Sequence, residues 1–596
     1  MEASERVNLI LPSNADLFPF ELPRASQNQF LEDARNCLAS GTHLFANAPT
    51  GLGKTAVSLA AALERSYEEQ GCVLFLTAKQ SQHHAAIEAL RLINKKRRIL
   101  VVDLVAREDM CLAKKRNGML CLQGQKCYFH NNLEEEAVQR ILAFPLHTQE
   151  VIRLCLRMGT CPYLASLKAL QSADCVVADY NQAFMLQGNG ALWRTGRTLS
   201  KSILIVDEAH NLPDRISESH SFSLGENDLN LALQDADMRR FHDDILALQD
   251  VVRHLARRVV GEEIKSWELD EALEERCGTD THGLASEIEE ELGEEAVSHT
   301  KLMGFLSCWS AFGDGSYRFF KNQQALKHLL LDVSLISAPI LEQVHTAIFM
   351  SGTLHPPEMF ADILGIGERC ACRTYRSPFP SKNRKLIALP GISSRFRHRG
   401  EETYKNVARC IVQVAQNTPG NMAVFFPSYD FMSSTLFHLR SSSMSKVIIT
   451  DSRNLGKNER DAMLKEMRRE GERALFASLG GSFAEGVDFH SNLLSAVVIV
   501  GLPLAPPSRE LDAKIRWLSK RFSPHKALLY AQIYPAIAKM LQAAGRAIRS
   551  EKDRAAIILL DDRYLLNPVH DALPEDFQPS CCSDLETELR SFFYPP

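Results

Sequence analysis

Ala48-Pro-Thr-Gly-Leu-Gly-Lys-Thr55 decides how this chain is read. An apolar run ending at Phe45 to Ala48 precedes it, and a helical pattern over Val57 to Leu63 follows. A glycine-rich loop between a strand and a helix is the setting of a phosphate loop, here with Ala48 in place of the first glycine. Gly51 and Gly53 let backbone N–H groups converge on phosphate oxygens. The helix start adds its positive dipole end. Lys54 can reach the β- and γ-phosphates and Thr55 can ligate Mg²⁺. Ala48, Pro49, Thr50, Gly51, Leu52, Gly53, Lys54 and Thr55 are therefore the expected nucleotide cradle. Taken alone, the stretch also fits a glycine-rich turn with a nearby lysine.

Two further stretches bear on it. Ile203-Leu-Ile-Val-Asp-Glu-Ala-His210 is a β-branched run that delivers Asp207 and Glu208 to a strand end. Asp207 suits a Mg²⁺ shell, and Glu208 suits orienting or deprotonating a water. Gln542-Ala-Ala-Gly-Arg-Ala-Ile-Arg549 spaces Arg546 and Arg549 by three, which places them on one face of a helix. By themselves these residues read best as an amphipathic surface helix. The order of the three stretches changes the odds, because an arginine from a second domain can stabilise charge on a transferred phosphoryl group.

The rest of the chain supports an enzyme of this kind. Its 596 residues, 45% hydrophobic and 24% charged, suit several folded domains. No apolar run is long enough to span a membrane, and the N-terminal stretch, with Glu2, Glu5 and Asp16, does not read as a secretory signal. The net charge of −5 is uneven, since residues 261–297 carry fourteen acids and two bases. The remainder is net positive and leaves room for a nucleic-acid surface. The acidic block reads as a solvated helix face. Fifteen cysteines in a chain of this type suggest a reduced, intracellular setting.

Strand-like runs at Val73–Leu76, Ile99–Val102, Cys175–Ala178 and Ile203–Val206 alternate with helical patterns. Such alternation predicts a parallel sheet wrapped by helices. The pattern breaks over about 106–165 and again over about 222–338, the latter Leu-, Glu- and Arg-rich with helical spacing at Leu246, Val251, Leu255 and Val259. Strand-like runs resume at Ala347–Met350, and after residues 377–384 a second series runs through Met422–Phe426, Val447–Thr450, Ala474–Ala477, Ala496–Val500 and Ala556–Leu560. Ser377 to Arg384, with two prolines, reads as a linker.

Four cysteines in the first interruption are spaced Cys111-x9-Cys121-x5-Cys127-x33-Cys161. Structural zinc sites favour close Cys pairs, which this spacing lacks. A [4Fe–4S] cluster tolerates it, and unrelated buried cysteines fit about as well.

In their order, these stretches resemble the superfamily 2 helicases, and within them the XPD/DinG-like iron–sulfur DNA helicases of the short archaeal XPD type. Arg24-Ala-Ser-Gln27 resembles the adenine-side motif and Leu76-Thr-Ala-Lys-Gln-Ser-Gln82 resembles motif Ia. Ala173 to Asn181 resembles the strand before the Asp-Glu-Ala-His segment. Ser351-Gly-Thr-Leu354 resembles motif III, and Ser377-Pro-Phe-Pro380 and Phe425-Phe-Pro-Ser-Tyr429 are similar to family signatures at and after the domain crossing. Gly480 to Phe489 resembles motif V. The motif Ia threonine is followed by Ala78 and then Lys79, where the family usually has a base directly after the threonine.

The resemblance implies roles. Gln27 would read adenine. Lys54, Thr55, Asp207 and Glu208 would hold nucleotide, metal and water. Gly352 and Thr353 would couple the site to DNA, and Glu485 and Asp488 would link the second domain to nucleotide and strand. Gln542, Arg546 and Arg549 would complete the γ-phosphate site. Cys111, Cys121, Cys127 and Cys161 would bind a [4Fe–4S] cluster, with Cys161-Pro-Tyr163 in the family position and Cys155 a structural thiol. Arg107 matches a family arginine near the cluster. Lys114, Lys115, Arg116 and Lys126 could track phosphates, and Tyr128, Phe129 or Tyr163 could stack on bases. Lys95 to Arg98 and Arg395, Arg397 and Arg399 are further basic candidates.

The implied architecture is two RecA-like α/β domains with ATP between them, the first interrupted by an iron–sulfur insertion and a helical arch. The expected boundaries are 1–105 with the phosphate loop, 106–165 for the cluster insertion, 166–221, 222–338 for the arch, 339–380, and 381–596 for the second domain. The implied activity is ATP-dependent 5′→3′ unwinding of single-stranded and forked DNA in DNA repair, with ATP, Mg²⁺ and a [4Fe–4S] cluster. The expected setting is a cytoplasmic, archaeal-type monomer working with repair proteins, without a C-terminal interaction domain. A translocase without strand separation, an RNA helicase and a DNA-binding scaffold with a dispensable ATPase are the alternatives.

Overall fold

β-branched and aromatic runs form two parallel sheets in a computed structural model. It describes residues 16–21, 25–112, 134–185, 190–258, 262–292, 301–321, 324–440, 442–484, 489, 493–548 and 550–595. The first sheet contains β1 (His43–Asn47), β2 (Cys72–Thr77), β3 (Val101–Asp103), β4 (Cys175–Asp179), β5 (Ser202–Asp207), β9 (Thr346–Ser351) and β10 (Cys370–Thr374), in the order β10-β1-β9-β5-β2-β4-β3. The pairs β9/β5, β5/β2, β2/β4 and β4/β3 are parallel. β2 is buried at all six positions and β5 at its first five, as expected of strands covered on both faces.

The second sheet has the order β13-β14-β12-β15-β16-β11-β17. Its strands are β11 (Arg384–Ala388), β12 (Met422–Phe426), β13 (Val447–Thr450), β14 (Arg473–Ser478), β15 (Ala496–Val500), β16 (Ala555–Leu560) and β17 (Ser580–Cys581), paired in parallel throughout. Side chains alternate between two cores. Val497 and Ile499 of β15 join Phe425 and Met540 on one face, while Ala496, Val498 and Val500 join Phe426 and Ile411 on the other. This is the period of two that a strand imposes.

The chain divides into two compact units, residues 1–46, 54–351 and 360–373, and residues 47–53, 352–359 and 374–596. No helix among the described residues is long and apolar enough to cross a membrane.

The stretch read as purely helical, 222–338, also contains a sheet. β6 (Phe222–Gly225), β7 (Ser316–Phe320) and β8 (Ala325–Leu330) pair antiparallel in the order β6-β8-β7. Its helices, including His242–Arg258, Ser266–Cys277 and Thr281–Leu292, share with that sheet a core of Leu248, Val251, Leu255, Leu273, Phe305 and Trp309. Leu246 points outward instead, at 39% exposed, because Ile245 and Leu248 carry the buried stripe of that helix. Glu274, Glu275 and Glu290 are exposed, so the described part of the acidic block is a solvated face.

Candidate active site

β5 ends at Asp207, and Glu208 occupies the turn that follows. Glu208 has φ +48° and ψ +43°, a left-handed backbone for a residue with a side chain. That state costs about 1–2 kcal/mol and needs outside support. Tyr180, just past β4, donates its hydroxyl to the carbonyls of Asp207 and Glu208 at 2.5 and 2.9 Å. The Asn211 N–H donates to the Glu208 carbonyl at 3.0 Å.

So held, the Glu208 carboxylate meets the end of the neighbouring strand β9. Ser351 donates to Glu208 Oε2 at 2.9 Å. His210 Nδ1 lies 2.7 Å from Ser351 Oγ and 3.4 Å from Glu208 Oε2. Asp207 Oδ1 accepts from the Glu208 N–H at 3.0 Å. Burial and the adjoining Glu208 push the Asp207 carboxyl up, against the pull of Lys54. Burial also opposes charge on Glu208, but His210, Lys54 and Ser351 outweigh it and hold that carboxyl below the usual range. Two unlike carboxylates beside a lysine can share a cation and a water between them.

Within the other unit, Ala48 and Leu52 are fully buried, whereas Thr50, Gly51 and Gly53 are exposed. Gly51 and Gly53 have φ of +83° and +82°, a left-handed backbone that glycine adopts without strain. Gly352 adjoins this loop, for a methyl group there would lie 3.6 Å from Ala48 O and Thr50 N. Lys54 and Thr55 open the helix Lys54–Glu69, Gln27 is buried in the helix Ala25–Ser40, and Thr353 is buried.

One expectation is corrected. Arg546 does not lie on a helix face, because the helix Tyr534–Ala544 stops at Gly545 and the chain continues in tight turns, Arg546 N to Ala543 O and Ala547 N to Ala544 O. Gln542 is still helical. Arg546 Nε and Nη2 donate to the Ala484 carbonyl at 3.2 and 3.0 Å. Arg24, Lys114, Lys115, Arg116, Cys121, Lys126, Cys127, Tyr128, Phe129, Glu485, Asp488 and Arg549 lie outside the described residues.

Of the cluster ligands expected, Cys111 follows the short helix Arg107–Met110 and is buried. Cys161 caps the helix Pro162–Ala169, which packs against the first. The Cys161 carbonyl accepts from the Ala165 N–H at 3.1 Å in the first turn of that helix. Among the described residues no group of three or more His, Cys, Asp or Glu side chains is placed to hold a metal ion. Cys155 is fully buried, and burial together with Cys161 pushes its thiol up to about 12, which suits a structural thiol. Among the basic candidates, Lys96 donates to the Phe18 carbonyl and Arg97 stacks 3.5 Å over the Tyr67 ring, so both serve packing.

Tyr180, His210, Ser351 and Phe379 lie inside stretches already singled out, yet their roles depend on contacts that local spacing does not encode.

A DEAD_2 family model matches residues 75–229, and a helicase C-terminal domain model matches 411–580. The chain belongs to the XPD/CHL1-like helicases. It is 25% identical over 535 residues to the ATP-dependent DNA helicase XPD of Sulfolobus acidocaldarius, covering 87% of this chain and 92% of that one. The general transcription and DNA repair factor IIH helicase subunit XPD of Schizosaccharomyces pombe is 22% identical, with 94% and 89% covered. The ATP-dependent DNA helicase CHL1 of Vanderwaltozyma polyspora is 25% identical, but only 62% of it is matched by 76% of this helicase. Its fold follows a solved XPD helicase structure with a TM-score of 0.63 at 20% identity, covering 94% of this chain and all of the other.

Proposed function

We propose that this helicase is an ATP-dependent DNA helicase of DNA repair that moves 5′→3′ on single-stranded DNA. The observation that carries the reading is the Asp207 and Glu208 pair beside Lys54, with Glu208 bonded to Ser351 and His210. That arrangement suits nucleotide hydrolysis coupled to the Ser351-Gly-Thr loop. The relatives, an ATP-dependent DNA helicase and a DNA repair factor subunit, support the substrate and the pathway.

Ala48 to Gly53 would wrap the phosphates with backbone N–H groups, and Lys54 would neutralise the β- and γ-oxygens. Mg²⁺ at Thr55 and Asp207 would supply charge neutralisation across the same oxygens. Glu208 would orient the attacking water and take its proton, with His210 and Ser351 fixing its carboxylate. Gln27 would read the adenine edge. Gln542, Arg546 and Arg549 would counter charge at the γ-phosphate, while Glu485 and Asp488 would link nucleotide to strand. Gly352 and Thr353 would relay the state of the phosphate loop to DNA.

Residues 106–165 would then be the cluster insertion and 222–338 the arch, within a first domain of 1–105, 166–221 and 339–380, followed by a second domain, 381–596. Cys111, Cys121, Cys127 and Cys161 would hold a [4Fe–4S] cluster, which supplies folding energy to an insertion with little core of its own.

The test is anaerobic purification with iron and sulfide quantified, then unwinding of forks carrying a 5′ or a 3′ tail, with Lys54→Ala as the inactive control. Unwinding from the 5′ tail alone is the expected result. Hydrolysis stimulated by DNA without strand separation would make the protein a translocase, and a preference for RNA would replace the substrate.

A further inference from the structure

Phe396 is 83% exposed, the most exposed large apolar side chain among the described residues. It belongs to Arg395-Phe-Arg-His-Arg399, a basic turn after β11 whose five side chains are all exposed. A scattered exposed apolar residue is ordinary. The support beneath this one is not.

Ser394 is buried and donates from N and Oγ to Asp561 Oδ2 at 3.0 and 2.7 Å. Arg563 donates to Asp561 Oδ1 at 2.7 Å, to Asp561 Oδ2 at 2.8 Å and to Ser394 Oγ at 2.8 Å. Asp561 is fully buried and stays ionised, because Arg563 and Ser394 outweigh burial and hold its carboxyl low. At the other end of the turn, Arg399 Nε donates to the Ser394 carbonyl at 3.0 Å. Its guanidinium lies 5.7 Å from the Phe396 ring centre and 5.6 Å from that of Phe431. A buried ion pair thus anchors a turn that presents a ring between arginines.

The turn also has a neighbour. A methyl group on Gly501 would come within 2.4 Å of Ser394 Oγ and 3.6 Å of Pro427 Cγ, so the turn's base adjoins Pro427. Pro427, Ser428, Tyr429, Arg453, Gly480 and Gly481 line a hollow of about 460 Å³. Phe431, under Arg399, stands in the helix that Ser428 caps. The hollow and the turn both follow carboxyl ends of one parallel sheet. Glu401, the first acid after the turn, is paired with Lys405 at 2.6 Å.

We propose that Phe396 is a stacking post for a base of single-stranded nucleic acid, with Arg395 and Arg397 on the adjoining phosphates. An exposed ring flanked by guanidinium groups matches a strand in both of its parts, since stacking accepts any base and cations follow the backbone. The occupant rests on the reading of the chain as a nucleic-acid helicase. Ring and charge are separable, because the ring senses bases and the arginines sense salt.

The experiment measures binding of fluorescein-labelled oligo(dT) by the full chain, with ATP hydrolysis in the absence of nucleic acid as the folding control. Phe396→Ala is expected to weaken binding by about tenfold or more, and Phe396→Trp to retain it with its fluorescence quenched by the oligonucleotide. On an abasic oligonucleotide the wild type and Phe396→Ala should bind alike. Replacing Arg395 and Arg397 with Gln should lower the slope of log K against log salt by about 1.4. Equal binding of oligo(dT) by wild type and Phe396→Ala, or a Phe396→Trp signal that the oligonucleotide leaves unchanged, overturns the stacking post. Failure of the wild type to bind any oligonucleotide overturns the helicase reading instead.

Discussion

The ring of Phe379 lies directly against the backbone of Gly51. A methyl group on Gly51 would come within 2.3 Å of Phe379 Cζ, and Gly51 has φ +83°. Both facts disfavour a side chain there. Alanine would meet left-handed strain of about 1–2 kcal/mol and a ring tip that must swing aside. Gly51→Ala is expected to lower ATP affinity at least tenfold, as read by titration with a fluorescent nucleotide. Adding Phe379→Ala to Gly51→Ala should recover part of the loss, since it removes the overlap and leaves the strain. Unchanged affinity in Gly51→Ala would show that the loop rearranges freely.

Arg546 yields a different kind of prediction. Its guanidinium bonds the Ala484 carbonyl, next to Glu485 in sequence. If it acts on the γ-phosphate, Arg546→Ala should reduce kcat by about 10³-fold while the Kd for ATP changes little, because such an arginine acts mainly on the transition state. Single-turnover hydrolysis and equilibrium binding separate the two quantities. A fall in affinity with kcat preserved would make Arg546 a tether for Ala484 instead.

The contrast between these two residues shows what local pattern carries. Gly51 is legible because a phosphate loop needs a positive φ between a strand and a helix, and both elements are written in neighbouring residues. The central strands were legible for the same reason: β12 and β15 are continuous apolar runs buried on both faces. Strands β6, β10 and β11 were not. β11 opens on Arg384 and Lys385, β10 is half-exposed, and β6 is four residues set among helices. Their identity comes from partners far along the chain, as in the pairing of Arg384 with Ala555. Arg546 was misplaced on a helix because Gly545 reads as a helix interior until the turns that end it are seen. Tyr180, Ser351 and Phe379 were visible as motif letters, but their work is long-range.

A pH prediction follows from His83, buried behind the motif Ia stretch. Its Nδ1 lies 2.6 Å from Asp103 Oδ1 and its Nε2 lies 3.5 Å from Asp179 Oδ1. Burial opposes the charged ring, but the two carboxylates outweigh it and raise the group from 6.5 to about 9. The folded value is above the unfolded one, so the stabilisation is complete below about pH 6.5 and is lost as pH rises through about 9. Its size is about 3 kcal/mol. Denaturant midpoints of wild type and His83→Gln should therefore differ at pH 6 and converge by pH 10. Asp103 also accepts from the Thr148 N–H at 2.7 Å, at the start of the helix Thr148–Met158. Asp103→Asn should consequently cost more than the loss of the histidine charge alone. A gap between wild type and His83→Gln that does not depend on pH would mean the ring is neutral.

The cysteines separate by environment rather than by spacing. Cys161 caps a helix and Cys111 ends another that packs against it, whereas Cys155 is sealed in the interior with its thiol pushed up to about 12. Iron is bound by the thiolate, so burial that disfavours the thiolate makes Cys155 the poorer ligand. Cys111→Ser and Cys161→Ser are expected to lose most of the iron of the anaerobically purified protein, together with its visible absorbance. Cys155→Ala should keep both, at a stability cost of about 1 kcal/mol for the small cavity. Alanine is the informative replacement there, because serine would bury an unpaired hydroxyl and confuse ligand loss with unfolding. Retention of iron by Cys161→Ser together with its loss in Cys155→Ala would transfer the ligand from the helix cap to the interior thiol.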